Sequence, residues 1–188
     1  MTRIVGIDPG SRKVGIGILE HHAQTRNVVV LHHQVLRLDL STELPARLSE
    51  LSFRLQEVLN EYKPDRAVLE DVFVGDHARS ALILGQARGA VLAVLGLHRT
   101  PVTSIAARRV KQIITGQGNA TKLQMGEMVR VLLKLPKRPA EDASDALALA
   151  LTYIHFPVNA SLALTDQPPK TSIRKGLYEL AKSQGLVA

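Results

Sequence analysis

The chain has 188 residues, 45% apolar and 22% charged, with no cysteine. This suits one globular domain with a tail; it excludes disulfides, thiolate metal sites and a cysteine nucleophile, no run approaches the ~18 apolar residues of a membrane span, and no secretory pattern precedes the first strand, so a soluble cytoplasmic protein without a membrane partner is expected. The formal net charge of +7 is concentrated in residues 99–138, where nine basic side chains (Arg99, Arg108, Arg109, Lys111, Lys122, Arg130, Lys134, Lys137, Arg138) stand against the single acid Glu127, a polarisation that favours a polyanionic partner.

Ile4–Asp8 is a short apolar run ending in an acid, and Pro9-Gly10-Ser11 is turn chemistry. Val14–Glu20 and Val28–Leu36 read as second and third strands, and their short links favour an antiparallel meander. Ser41 is the expected N-cap of a helix carrying Leu44, Leu48, Leu51, Leu55, Val58, Leu59 and Tyr62, ended by Pro64. Arg66–Glu70 is a buried-type strand that again ends in an acid. Ala78–Leu97 is a long helix, apolar nearly all round, with Gly85, Gly89 and Gly96; burial in the core and a close helix–helix contact across a two-fold axis are both open for it. Val102–Ile105 is a short strand, and Ala106–Ile114 and Thr121–Lys134 are helices. A proline-bearing linker leads to a last helix, Asp142–Tyr153, whose alanine content favours helix despite its alternating pattern. The expected domain is 1–157; residues 158–188 read as a polar, basic tail, partly disordered, with a short helix near Leu177–Lys182. Crossovers added to a meander give an α/β fold: a mixed five-stranded sheet, three strands antiparallel and two parallel, with helices on both faces.

Two strands end in carboxylates, Asp8 and Glu70, where open α/β sheets collect ligands. Asp142 and Asp145 stand three apart at a helix start and share a face. If that helix packs beside the sheet edge, four like charges converge and raise one another's pKa values. Hard divalent cations resolve such a cluster, because Mg²⁺ takes oxygen ligands and keeps water and phosphate in its shell. Two ions about 4 Å apart can clamp an in-line phosphoryl displacement. Singly, each acid reads equally as a loop or cap residue; together, and beside the basic segment, they point to a metal-dependent nuclease. Ser11 reads as a turn residue, since no histidine lies near it in sequence, so metal-activated water is the expected nucleophile. The histidines, including the pairs His21-His22 and His32-His33, show no zinc-like spacing; they are expected on an exposed hairpin without a role, and only His77 could approach DNA.

Ile4-Val-Gly-Ile-Asp-Pro-Gly-Ser-Arg12, Leu69-Glu-Asp-Val-Phe73, Leu84-Gly-Gln-Ala-Arg-Gly89, Val110-Lys-Gln112, Gly116-Gln-Gly-Asn-Ala-Thr-Lys-Leu-Gln124 and Asp142-Ala-Ser-Asp-Ala-Leu-Ala148, in this order, resemble the RuvC family of Holliday-junction resolvases. The resemblance runs from Ile4 to Tyr153. It implies a ribonuclease H-like fold and a homodimeric bacterial endonuclease that nicks four-way DNA junctions symmetrically in strands of like polarity. The family's four metal-binding acids fall on Asp8, Glu70, Asp142 and Asp145, holding two Mg²⁺ per site, with Mn²⁺ able to substitute. Lys111 and Lys122 would contact phosphates near the cut, and Arg108, Arg109 and Lys137 phosphates more generally. Phe73 would stack on an unpaired base. The RuvA–RuvB branch-migration machine is the implied partner. Two other readings are disfavoured: a junction- or RNA-binding module without cleavage, against which retention of all four acids argues, and an actin-like nucleotide-binding phosphotransferase, for whose duplicated domain 188 residues leave no room.

Overall fold

A computed structural model describes residues 1–71 and 78–156. Strands β1 (Thr2–Pro9), β2 (Lys13–His22), β3 (Asn27–Arg37), β4 (Arg66–Glu70) and β5 (Val102–Ile105) form one sheet in the order β3-β2-β1-β4-β5. β1 pairs antiparallel with β2 and parallel with β4; β2–β3 is antiparallel and β4–β5 parallel. This is the expected mixed sheet. The helices are α1 (Leu44–Tyr62), α2 (Ala78–Leu97), α3 (Ala107–Thr115), α4 (Lys122–Leu132) and α5 (Glu141–His155). Phe73, His77, the tail from residue 158 and the short helix expected near Leu177–Lys182 lie outside the described residues.

Strand alternation divides the core between two layers. Val5, Ile7, Ile16, Ile18 and Leu69 point to the face covered by α1 and α2. Ile4, Leu19 and Val68 point to the face covered by α3, α4 and α5. Asp8 follows Ile4 and Gly6 by two-residue steps, and Glu70 follows Val68, so both acids belong to the α5 side. On that side β1 and β2 present glycine. Gly6 pairs with Gly17, and Asp8 pairs with Gly15. A Cβ at Gly6 would lie 1.9 Å from the Ala146 carbonyl oxygen, one at Gly15 1.9 Å from that of Asp142, and one at Gly17 2.8 Å from Leu147. The three glycines thus let α5 rest on the sheet almost backbone to backbone. Its inward residues are correspondingly small: Ala143, Ala146 and Ala150 are buried beside Leu147 and Leu151.

Several local expectations change. Ser41 does not cap α1; its backbone N–H and hydroxyl donate to the Asp39 carboxylate at 2.9 and 2.7 Å, and the N-cap position is Glu43. A proline at the start of the helix fills the first turn without needing a side-chain cap. Thr121 lies outside α4 as its N-cap: its hydroxyl accepts from Gln124 N–H, and Gln124 Oε1 accepts from Thr121 N–H, a reciprocal capping box. α5 begins at Glu141, one residue earlier than expected. The histidine pairs are less exposed than expected. His22 contacts Glu20 at 3.0 Å, and His32 stacks on Tyr62 with ring centroids 5.0 Å apart; of the four, only His33 is exposed. Among the described residues no helix is long and apolar enough to cross a membrane.

Gly15→Ala is expected to lower stability by roughly 1–3 kcal/mol, the usual cost of overpacking, because the neighbour its methyl meets is backbone. Thermal unfolding measures this; an unchanged Tm would show that α5 does not rest on β2 as described.

Candidate active site

The site forms where β1 and β4 end side by side. Ile7 and Leu69 are the last paired residues of the two parallel strands, and Asp8 and Glu70 follow them directly. α5, seated on Gly6, Gly15 and Gly17, brings Asp142 and Asp145 to the same edge. All four carboxylate residues are half-buried.

Electrostatic coupling shows that they face one another. Burial, then Glu70, Asp145 and Asp142, push the Asp8 carboxyl up to about 7, with Lys122 pulling the other way. Glu70 is raised by burial and by Asp145, and lowered by a hydrogen bond with Asp8 and by Lys111 and Lys122. Asp145 is raised by burial, against the pull of Lys122 and Lys111. Burial and like-charge crowding therefore act together, and at neutral pH Asp8 in the cation-free site is only partly ionised. An all-carboxylate donor set that cannot carry its full charge unaided fits hard divalent cations, which bind through oxygen and keep water in their shell. Among the described residues no three acid or imidazole side chains are gathered tightly enough to enclose an ion by themselves.

Two lysines lie within electrostatic reach of these acids. Lys122 occupies the first turn of α4, fixed by the Thr121–Gln124 box, and Lys111 projects from α3. Both act on Glu70 and Asp145, and Lys122 also on Asp8. Lys122 Nζ is further paired with the Glu141 carboxylate, which raises the lysine and lowers the glutamate. The other expected contacts are more dispersed. Arg108 packs along Gly118, which a Cβ would bring within 3.2 Å of it. Lys137 acts on His33 of β3. Arg109 is half-buried on α3.

Sequence reasoning missed Glu141, together with Lys13 and Arg138, whose charges act on it. It also missed Arg88 of α2, which donates to the Glu70 carbonyl at 2.5 Å and to Ser104 Oγ at 2.8 Å. The signal for Glu141 was its adjacency to Asp142; Arg88 stood inside a quoted motif without a partner that spacing could reveal.

Asp8 titrates near 4 in an unfolded chain and near 7 in the cation-free fold. Between those values the folded state holds the extra proton, so rising pH removes stability. In a chelator, Asp8→Asn is therefore expected to be more stable than the parent at pH 7.5, by on the order of 2–4 kcal/mol, with the gap closing towards pH 4.5. Thermal unfolding across that range measures it, and a gap that does not change with pH would contradict the assignment.

Comparison with known proteins points to one family. A family model described as "Crossover junction endodeoxyribonuclease RuvC" matches residues 4–153. A relative of that name from Pasteurella multocida is 41% identical over 177 residues, covering 92% of each chain. One from Halorhodospira halophila is 47% identical over 155 residues, covering 82% of this chain and 91% of its own. The structure of Thermus thermophilus RuvC in complex with a Holliday junction substrate superposes with a TM-score of 0.72 at 28% identity, over 81% of this chain and 92% of that one. With the sheet order, the glycine-seated helix and the acids at the strand ends in place, the chain belongs to the RuvC family of crossover junction endodeoxyribonucleases.

Proposed function

We propose that this protein is a structure-specific endonuclease that resolves four-way DNA junctions in recombination and repair. It cuts by paired, symmetric nicks in strands of like polarity. One observation carries the reading: the meeting of Asp8, Glu70, Asp142 and Asp145 at one sheet edge, with Lys111 and Lys122 facing them. The family relative solved with a Holliday junction supports the substrate.

Nucleases of this family use divalent metal ions. Here Mg²⁺ is the proposed ion, two per site, held by Asp8, Glu70, Asp142 and Asp145, with Mn²⁺ a substitute. When bound, such ions neutralise the carboxylates, polarise the scissile phosphate and make water acidic enough to attack. The protein's own groups do the rest. Asp8, only partly ionised in the cation-free site, would be held as carboxylate by a bound cation, and its partial burial would strengthen that attraction. Lys122 and Lys111 bind phosphate oxygens at the cut; Arg108, Arg109 and Lys137 position the flanking backbone. Phe73 stacks on a base opened at the junction centre.

A homodimer supplies the second cut, and α2 supports it. Its inward side buries Ala87, Val91, Val94 and Leu95, while Leu82, Gly85, Gly89, Leu92, Ala93 and Gly96 are exposed at helical spacing. A Cβ at Gly85, Gly89 or Gly96 would meet open space within 4 Å. A second copy seated on this stripe gives a closed two-fold pair with two identical sites, suited to a substrate of approximate two-fold symmetry. The RuvA–RuvB partnership and a cytoplasmic setting rest on family membership.

Asp8→Asn and Asp145→Asn are expected to bind a synthetic four-way junction within a few-fold of the parent and to leave it uncut in single-turnover assays with Mg²⁺. Cleavage at the parental rate by either would remove that acid from the site; a parent protein that binds but never cuts would favour the non-cleaving module. Gly89→Lys is expected to give a folded monomer by sedimentation, and a dimer persisting in that variant would move the interface elsewhere.

A further inference from the structure

Glu70 lies at the end of β4, next to the last described residue before 72–77. Glu70 is the last residue of a five-residue strand, paired there with Ile105 of β5 but with no partner on β1. On one side the chain is secured by β5, where Asp71 N–H donates to the Ile105 carbonyl at 2.9 Å. The other restraint comes from a different element. Arg88, half-buried on α2, reaches over the sheet edge: Nη1 donates to the Glu70 carbonyl at 2.5 Å and Nη2 to Ser104 Oγ of β5 at 2.8 Å. One guanidinium thus clamps the ends of both parallel strands. Its planar fork holds two acceptors at fixed spacing, which an ammonium cannot do.

A carbonyl held in place fixes the peptide plane that follows it; with the preceding backbone held by the strand pairing of Leu69, this restrains the Cα–Cβ bond of Glu70. We propose that Arg88 is a positioning residue: by holding the Glu70 peptide against Ser104 and α2, it aims the Glu70 carboxylate at Asp8 and the α5 acids. The bonds that Arg88 makes here are to the Glu70 carbonyl and to Ser104 Oγ, not to the Glu70 carboxylate. Arg88 also sits between Gly85 and Gly89 of the exposed stripe, which makes the helix of the proposed dimer face the one that holds the acid.

This inference rests on the reading of Glu70 as a metal-binding acid, and the test separates the two. Arg88→Met, Arg88→Lys, Ser104→Ala and Glu70→Gln are compared with the parent. The readouts are Mg²⁺ half-saturation of junction cleavage, the Mg²⁺-induced shift in Tm without DNA, and junction affinity in chelator. Groups that orient metal-binding residues typically cost 10–100-fold in metal affinity or activity when lost. Arg88→Met is therefore expected to raise the Mg²⁺ half-saturation by about 10–100-fold, to lose the Tm shift at Mg²⁺ levels that saturate the parent, and to keep junction affinity in chelator. Arg88→Lys recovers part of this, and Ser104→Ala shifts it in the same direction by less. Parental half-saturation in a folded Arg88→Met, with Glu70→Gln inactive, would overturn the positioning role alone. Parental cleavage by Glu70→Gln would overturn the metal-binding reading and this inference with it. If Arg88→Met does not fold, Arg88→Lys and Ser104→Ala decide, and parental half-saturation in both overturns the proposal.

Discussion

Helix α5 rests on β1 and β2 with glycine beneath it, and the site depends on that contact. Gly6, Gly15 and Gly17 leave no side chain between sheet and helix, so the Ala146 and Asp142 carbonyls come to where Cβ atoms would stand. This contact brings the first turn of α5 to the C-terminal ends of β1 and β4. The cost of burying the sheet without side chains is met by α5's own apolar residues; Leu147, Leu149 and Leu151 join the core on that face with Met125, Met128 and Val129 of α4.

Two opposing electrostatic demands meet at the resulting edge. Carboxylates gathered in a half-buried place repel one another and resist ionisation, as the elevated Asp8, Glu70 and Asp145 record. Lys122 offsets part of this, yet not enough to bring Asp8 to its ordinary value. Such a balance fits the divalent metal ions that nucleases of the family use. It also explains why the basic segment follows the sheet in sequence: α3 and α4 carry its lysines to the rim, where a phosphate backbone would lie.

Much of this was legible in the residues. Short apolar or β-rich runs between turn signals marked the strands, acids at strand ends marked the edge, and alanine content identified α5 as a helix despite its alternating Ala-Leu pattern. The motif order pointed to the family before any coordinates. What was not legible came from tertiary contact. The glycines of β2 read only as part of an alternating strand, because nothing local reveals that a helix backbone lies against them. α2 reads as apolar all round, so which side the core takes and which it leaves bare depends on the packing of α1 and the sheet. The Glu141–Lys122 pair joins residues nineteen apart in sequence, and Arg88 meets Glu70 only through the crossover. Ser41 failed as a cap because α1 begins later, with Glu43 at the N-cap position, while Ser41 donates its hydroxyl and N–H to Asp39.

The most direct measurement is anomalous diffraction from crystals of the protein soaked in Mn²⁺ with a four-way junction. The account predicts manganese peaks among the carboxylate oxygens of Asp8, Glu70, Asp142 and Asp145, beside a phosphate of the crossing strands. Peaks bound elsewhere, or none at that sheet edge at saturating manganese, would contradict it.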